Sequence, residues 1–203
     1  MDYVTQQGLS GAIYALLAFD CRGYDIPSAD KNVEQTSREG LVKYILDKQL
    51  KDGGWAYSGD KAEPDMTAMA LQALAAYYKT DAKVKEAADK AVTCLSKLQN
   101  TTGGYDSYGS VNSESAAQVI TALTALGIDP DNDARFVKNG ASVLDSLCGF
   151  YVDGGGFRHV SDGKLDPTAT AQGYYALAAY YRFAGSQTAL YDMTDLDTVE
   201  KAA

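Results

Sequence analysis

Three glycine turns recur along this chain, and each is followed by the same kind of segment. They end in Trp55, Tyr105 and Phe157, which stand 50 and 52 residues apart. After each turn come an acidic residue, an Ala-rich stretch and an Ala-Leu pair. Self-similarity at a fixed period of about 20–50 residues is the sequence signature of repeat architectures. The sequence therefore predicts similar units stacked in register.

Two kinds of helix alternate within these units. The stretch before each turn is amphipathic, with an apolar and a charged face, at residues 38–49, 83–98 and 136–148. The stretch after each turn is apolar nearly all round, at residues 66–78, 116–126 and 170–183, and residues 11–19 have the same character. A helix that is apolar all round has to be covered on every side, whereas an amphipathic helix keeps one face in water. The pattern predicts four buried inner helices and three outer helices around them.

No segment has a β pattern of comparable strength, so the predicted fold class is all-α. Residues 28–34 and 129–133 are polar and predict connections between helices. The acidic segment 191–197 predicts a tail that leaves the fold, and residues 195–203 could add a short terminal helix. We expect one domain over residues 1–195, followed by a tail at 196–203.

The composition excludes several functions. With 18 Lys and Arg against 27 Asp and Glu, the net charge is −9, so no basic surface is expected for nucleic acid or for an anionic membrane. One histidine, His159, cannot build a metal site that needs several imidazoles. The cysteines, Cys21, Cys94 and Cys148, have neither disulfide-framework nor zinc-site spacing and are expected as small core residues. The longest apolar run, residues 66–78, is too short for a membrane span.

The first two turns carry a longer motif. Gln49-x-x-x-Gly53-x-Trp55 and Gln99-x-x-x-Gly103-x-Tyr105 resemble the Gln…Gly-x-Trp repeat of the squalene cyclase and protein prenyltransferase superfamily. More closely, the chain is similar to prenyltransferase-repeat domains of secreted or surface-anchored proteins of Gram-positive bacteria, which are related to the toroid of the cobalamin carriers. The segments that carry this closer resemblance are residues 8–19, 48–55, 65–74 and 171–177.

This resemblance, which extends over residues 8–195, implies a partial α/α toroid and an extracellular or cell-surface location. Residues 1–7 are mostly polar, so we expect no signal peptide within residues 1–203. A complete toroid has more helices than can be read here, so we expect residues 1–203 to be the C-terminal part of a larger one. Its open edge would expose apolar inner-helix surface and favour self-association.

A catalytic candidate lies at the start of one inner helix. Glu63-Pro64-Asp65-Met66-Thr67-Ala68 is similar to the Asp-x-Asp-Asp-Thr-Ala motif of class II terpene cyclases, in which an acid protonates an alkene. The resemblance implies Asp65 as general acid with Glu63 near it, although Met66 replaces the neighbouring acid. Alkene protonation needs an unusually strong acid in a dry, aromatic-lined cavity. The alternative is that the recurring acids cap free N–H groups and meet the helix dipole, at Asp65, Glu114 and Asp166.

We expect neither a metal nor a cofactor. Protein prenyltransferases hold zinc with an Asp, a Cys two residues later and a distant His, but here Thr168 follows Asp166 and no His lies downstream. Residues 129–133 have the alternate acids of a calcium loop but lack its Gly and its Glu, since Ala134 and Gly140 hold those positions. A solvated connection is the expected structure of that loop.

The residues after the glycine turns lie at one rim of the predicted arrangement. Aromatic and basic side chains follow the turns, at Trp55, Tyr57, Tyr105, Tyr108, Phe157, Arg158 and His159. Acidic residues begin the inner helices, at Asp65, Glu114 and Asp166. Such an acidic, aromatic rim predicts a site for a small molecule, a glycan or a peptide. The alternative is that the aromatic residues are wedges packed between repeats.

Three functions fit these observations. The first is a non-catalytic toroid module of an exported bacterial surface protein, which binds a ligand or serves as a scaffold. The second is a terpene cyclase or prenyltransferase relative that uses Asp65. The third is a polysaccharide-active toroid, which needs Tyr or His paired with Arg or carboxylates in one groove; Arg158 and His159 are the residues that point to it. We expect the first, because the repeat occurs without a complete catalytic set.

Overall fold

The glycine turns separate successive helices of the chain, as the repeat predicts. The structure is a computed structural model that describes residues 2–31 and 33–196. Its α-helices are α1 (Asp2–Thr5), α2 (Gly8–Asp20), α3 (Arg38–Asp47), α4 (Pro64–Leu74), α5 (Ala82–Leu98), α6 (Ser113–Ala125), α7 (Val143–Cys148) and α8 (Pro167–Ala184). A 3₁₀ turn, Ala75–Tyr77, continues α4. The prediction of a mostly helical protein is confirmed, while residues 197–203 of the predicted tail and terminal helix lie outside the described residues.

Two very short hairpins follow the second and third glycine turns. β1 (Asp106–Ser107) pairs antiparallel with β2 (Ser110–Val111), and β3 (Phe157–Arg158) pairs antiparallel with β4 (Leu165–Asp166). In register, Ser107 is opposite Ser110, and Phe157 is opposite Asp166. The second strand of each hairpin leads into an inner helix, α6 or α8. The hairpins therefore hold the starting ends of these helices.

The helices lie in two layers. The inner helices α2, α4, α6 and α8 pack against one another in chain order, while α3, α5 and α7 pack on α2, α4 and α6 respectively. Most of α4 and α6 is buried, whereas α5 buries one face and exposes its charged face. Leu71 and Ile120 of the inner layer and Leu95 of α5 are fully buried. The layers thus follow the apolar pattern of the sequence, because burial of apolar surface is the main favourable term in folding.

The inner helices α4, α6 and α8 are connected by a ladder of amide side chains. Gln72 Nε2 donates to Gln118 Oε1 at 2.9 Å, and Gln118 Nε2 donates to Gln172 Oε1 at 3.1 Å and to Tyr175 Oη at 2.6 Å. Ser113, the first residue of α6, also donates its N–H to the backbone oxygen of the residue that follows β3. Contacts at both the start and the middle of neighbouring helices mean that these helices run in the same direction.

A glutamine fastens each of the first two glycine turns to the next part of the outer layer. Gln49 Nε2 donates to Gly53 O in its own turn and to Ala87 O in α5, both at 2.8 Å. Gln99 Nε2 donates to the corresponding turn oxygen at 2.9 Å and to Phe136 O at 2.7 Å. One amide therefore satisfies two backbone oxygens that belong to different segments, which explains the spacing of the Gln-x-x-x-Gly motif.

Glycine is required in these turns because the next outer segment approaches the backbone closely. Gly103 has a φ of 79°, and a Cβ atom there would clash with Ser142 O. Gly53 has a φ of 94°, and its Cβ would lie 3.0 Å from Lys90 O. In the third turn Tyr151 holds the place of the glutamine. The third turn is thus not fastened in the way that the first two are.

The aromatic residues that end the three turns are core wedges. Trp55 and Tyr105 have no exposed area and Phe157 has 1%. The backbone N–H of Trp55 donates to Thr67 Oγ1 in α4, and that of Phe157 donates to Thr170 Oγ1 in α8, both at 2.9 Å. The first and third turns are thereby pinned to the inner helices that follow them, α4 and α8.

The third predicted outer helix, at residues 136–148, is wrong in its first half. Lys138 and Ala141 pair across a tight turn in which Asn139 and Gly140 have φ angles of 51° and 82°. Asn-Gly strongly favours such a turn, and this local preference overrides the apolar spacing. The helix α7 begins only after Ser142, which forms a capping box with the third residue of the helix.

The inner helices α2 and α8 are not covered on every side, contrary to the prediction. In α2, Tyr14 is 57% exposed. The second case is α8. It packs mainly on α6, and no outer helix of the described chain packs extensively on it. One of its faces is exposed, at Pro167, Ala171, Tyr174, Ala178 and Tyr181. The side chains of Tyr174 and Tyr181 are 48% and 73% exposed.

The predicted departure of the chain from residue 191 is also wrong for the part that is described. Met193 N donates to Cys21 O at 2.8 Å, just after the end of α2, and Arg182 of α8 pairs with Asp195 at 2.6 Å. Residues 191–196 therefore connect the end of α8 with the end of α2.

We predict that Gln99→Met destabilises the fold. Methionine has a similar shape but cannot donate, so two carbonyl oxygens lose their partner, and each unpaired buried group costs about 1–3 kcal/mol. The free energy of unfolding should fall by about 2–4 kcal/mol, measured by urea denaturation followed by circular dichroism. The control is Gln187→Met at an exposed position, which should change the free energy of unfolding by less than about 0.5 kcal/mol. Equal effects of the two variants would contradict the role of the amide.

Candidate functional site

The starting ends of α4, α6 and α8 lie together at one rim of the structure. Ser107 Oγ in β1 donates to Asp65 Oδ2 in the first turn of α4 at 2.6 Å. His159, after β3, places its Nδ1 2.8 Å from Glu114 Oε2 in α6, and its backbone oxygen accepts from Ser113 N at 3.1 Å. These contacts bring together side chains that come from three repeats.

A cleft of about 330 Å³, the rim cleft, opens between these contacts. It is lined by Asp65, Ser107, Tyr108, Ser110, Asn112, Glu114, His159, Thr168 and Gln172. Each of these side chains has a hydrogen-bonding group, and neither Lys nor Arg is among them. The cleft can therefore bind a ligand through many hydrogen bonds, and its two carboxylates disfavour an anionic one.

Tyr108 lies at the tip of the β1–β2 hairpin and is 85% exposed. Its φ is 53°, and that of Gly109 is 87°. Positive φ at both central residues is the requirement of a type I′ turn, which favours Asn-Gly and is unfavourable for a bulky first residue. The turn at Asn139-Gly140 has nearly the same φ angles with the favoured residues. Tyr108 is thus held in a strained conformation that exposes its ring at the edge of the cleft, and such strain clusters at ligand-binding sites.

Negative charge surrounds the Tyr108 ring. Glu63, and to a lesser extent Asp65, raise the pKa of the Tyr108 phenol above its ordinary value, because a neighbouring carboxylate disfavours the phenolate. Tyr57, which is 72% exposed, lies in the same region, and its backbone N–H donates to Glu63 Oε2 at 2.9 Å. Two exposed tyrosines and two acids therefore share this part of the rim.

The acids at the starts of the inner helices do not all act as caps. The N-cap residues are Glu63 in α4, Asn112 in α6 and Asp166 in α8. Asn112 Oδ1 accepts from Ser115 N at 2.9 Å, and Asp166 Oδ1 accepts from Ala169 N at 2.8 Å. Glu63 makes no side-chain capping bond.

The capping prediction is therefore confirmed for Asp166 and wrong for Asp65 and Glu114. Asp65 and Glu114 stand two residues after the N-cap, inside the first turn, and Thr168 holds that position in α8. Their carboxylates still lie near the positive end of the helix dipole. Because the backbone does not use them as caps, they are available to line the rim cleft.

The surroundings of Asp65 do not fit alkene protonation. Its Oδ2 accepts from Ser107, and its Oδ1 is buried without a hydrogen-bond partner in the described part of the chain. The neighbouring cleft is lined by hydroxyl, amide and carboxylate groups rather than by a dry aromatic wall. A carboxylic acid in a polar cleft lacks the environment that gives such an acid its strength.

His159 and Arg158 do not share one groove. The contact of His159 Nδ1 with Glu114 places the hydrogen of the neutral ring on Nδ1. Arg158 Nη2 instead donates to Gly149 O at 3.4 Å, and Arg158 does not line the rim cleft. A polysaccharide-active site would use Tyr or His paired with Arg or with a carboxylate. His159 is paired with the Glu114 carboxylate, whereas its pairing with Arg158 is absent from the described structure.

The structure thus divides the predicted rim residues. Asp65, Tyr108, Glu114 and His159 line the rim cleft, and Tyr57 lies in the same region through its contact with Glu63. Trp55, Tyr105 and Phe157 were predicted at the rim but are buried, so they cannot contact a ligand there. Their burial follows from their position at the turn, where the chain enters the core.

Sequence reasoning missed the small polar residues of the cleft. These are Ser107, Ser110, Asn112, Thr168 and Gln172. The hairpin that presents the first two has strands of only two residues, too short for a detectable alternating pattern. For Asn112, its position before an apolar run was an available helix-start signal.

The loop at residues 129–133 uses its acids internally. Asp129 Oδ1 accepts from Asp131 N at 2.8 Å, and Asp133 pairs with Arg135 at 2.7 Å. Across the described residues, no group of three or more His, Cys, Asp or Glu side chains is placed to hold a metal ion.

The cysteines are free and differ in exposure. Cys94 is buried, as expected, and burial raises the pKa of its thiol to about 11. Cys21 is half-buried, and Cys148 is exposed, contrary to the expectation of a core residue. Among the helices described, none is long and apolar enough to cross a membrane.

No protein-family model matches the chain, and no curated protein matches it. The resemblance to the toroid families therefore depends on the sequence motifs alone.

We predict that Tyr108→Asn stabilises the protein, because asparagine tolerates the left-handed conformation that strains tyrosine. The free energy of unfolding should rise by about 1 kcal/mol in a urea titration. The matched control is Asn139→Tyr, which introduces a tyrosine at the same position of the Asn139-Gly140 turn. This variant should lower the free energy of unfolding by a similar amount. If Tyr108→Asn destabilises the fold, the hairpin is not strained as described.

Proposed function

We propose that this chain is a non-catalytic binding module whose ligand occupies the rim cleft. The observation that carries the proposal is Tyr108, a large ring that is 85% exposed, held in a left-handed backbone conformation, and adjacent to a cleft with only polar lining. A ring with this large an exposed fraction contributes little apolar contact to the core. An aromatic side chain beside convergent polar groups is a common composition of ligand sites.

The proposal extends to the architecture and the location. We propose that the two layers are a segment of an α/α toroid and that the chain belongs to an exported bacterial surface protein. In favour of the toroid are the parallel inner helices and the Gln49 and Gln99 fastenings, which repeat at the spacing of the motif. The location is supported by the sequence resemblance.

A binding function fits the site better than catalysis. Asp65 lies in a polar cleft, which is unfavourable for a terpene cyclase acid, and Arg158 does not line that cleft. The rim cleft does place Ser107 Oγ against Asp65 and His159 against Glu114, but neither Lys nor Arg lines it to stabilise a developing negative charge. Such a set can position a ligand through hydrogen bonds.

The proposal is tested with three chemically different probes: cellotetraose, tetralysine and cyanocobalamin. Each is titrated into ¹⁵N-labelled protein, and amide resonances are followed by NMR. We expect at least one probe to shift the resonances of residues 107–112 and His159, and the Tyr108→Asn variant to weaken this binding by about tenfold.

The control for this experiment is Tyr24→Asn, which removes an exposed tyrosine in the connection between α2 and α3. It should leave the shifts unchanged. If both variants weaken binding equally, or if neither these probes nor further neutral oligosaccharides shift rim resonances, the rim cleft is not the binding site.

We also propose that the exposed face of α8 mediates self-association. Its two tyrosines and intervening alanines form an apolar stripe without an outer helix on it. The protein should form dimers or larger assemblies in multi-angle light scattering at high concentration. The double variant Tyr174→Glu, Tyr181→Glu should be monomeric, whereas Tyr24→Glu should associate like the parent. A monomer at every concentration would contradict this proposal.

A further inference from the structure

We infer that the ligand of the rim cleft is a glycan whose sugars carry no negative charge. This inference depends on the proposed function and names the class of ligand for the same site. It follows from the hydrogen-bonding groups that the cleft leaves unused, from its charge, and from the shape of its entrance.

The cleft contains polar groups that the fold does not use. The hydroxyls of Ser110 and Thr168 make no hydrogen bond within the described residues, and neither does the Nε2 of Gln172, whose Oε1 accepts from Gln118 and Tyr175. These groups join the carboxylates of the cleft. A sugar ring presents adjacent hydroxyls that both donate and accept, so one face of a sugar can satisfy this mixed set.

The charge of the cleft selects against acidic sugars. Asp65 and Glu114 line the cleft, Glu63 lies near its edge, and no Lys or Arg lines it. A uronic acid or a sulfated sugar would bring like charges together without a cation to pair with. Carboxylates also form strong hydrogen bonds with neutral hydroxyl donors.

A glycan fits the cleft better than a peptide does. Peptide recognition uses apolar side-chain pockets or an exposed sheet edge. The lining of the rim cleft has no aliphatic side chain, and the strands beside it, β1 and β2, are only two residues long. The Tyr108 ring at the entrance instead offers a flat apolar surface for the C–H face of a sugar.

The experiment compares neutral, acidic and peptide probes on the whole chain. The neutral probes are cellotetraose, maltotetraose and chitotetraose, the acidic probe is tetragalacturonate, and the peptide is tetralysine, each titrated by NMR at low salt. We expect at least one neutral tetrasaccharide to shift the rim resonances and tetragalacturonate to shift none. Tyr108→Asn and Asp65→Asn should each weaken the neutral sugar by about tenfold.

The matched control is Asp47→Asn in α3, which changes the net charge equally but lies in the outer layer. It should leave sugar binding unchanged. Equal binding of tetragalacturonate, or sugar binding that is insensitive to Tyr108→Asn, overturns the inference. If tetralysine, or cyanocobalamin added as a sixth probe, binds at the rim and no neutral sugar does, the inference is overturned but the proposed function stays in place. Binding of none of the six probes overturns both.

Discussion

The glutamine amide that bridges two backbone oxygens is the interaction on which the layered structure depends. Gln49 and Gln99 each join a glycine turn to the following outer segment, and the glycine permits the close approach that these hydrogen bonds need. One side-chain amide satisfies a carbonyl oxygen of the turn and one of the following outer segment at once. Successive outer segments are thereby held in register at the same point of the first two repeats.

The position of the candidate site follows from this register. Because α4, α6 and α8 run in the same direction, their starting ends, with the residues that precede them, come to one rim. The first turns then bring Asp65, Glu114 and Thr168 to one cleft, although about fifty residues separate each from the next in the sequence. The hairpins between the turns and the helices add the hydroxyl and amide groups. The fold therefore creates a polar cleft from repeats that are mostly apolar.

Two tight turns of this molecule have nearly the same backbone conformation but differ in whether their residues suit it. Asn139-Gly140 has the residues that its conformation favours, whereas Tyr108-Gly109 adopts nearly the same φ angles with a residue that does not suit them. The Asn139-Gly140 turn redirects the chain before α7. The Tyr108-Gly109 turn exposes a ring at the entrance of the cleft. Of these two turns, the one with the unfavoured residue is the one for which a binding role is proposed.

Much of the architecture could be predicted from the sequence, because helix periodicity and glycine turns are local signals. The inner helices, the outer helices α3 and α5, and the burial of residues such as Ile120 follow from apolar spacing alone. The first half of the third outer helix could not, since the turn preference of Asn139-Gly140 competes with that spacing. The sequence by itself determined that α4 and α6 are buried inside and that α3 and α5 keep a charged face outside. Only the tertiary structure decided that Trp55, Tyr105 and Phe157 are wedges while Tyr108 is exposed, and that Asp65 and Glu114 line a cleft instead of capping helices. The physical reason is that side chains of the same type have different surroundings depending on which neighbouring repeat they contact, and those contacts are not encoded in local spacing.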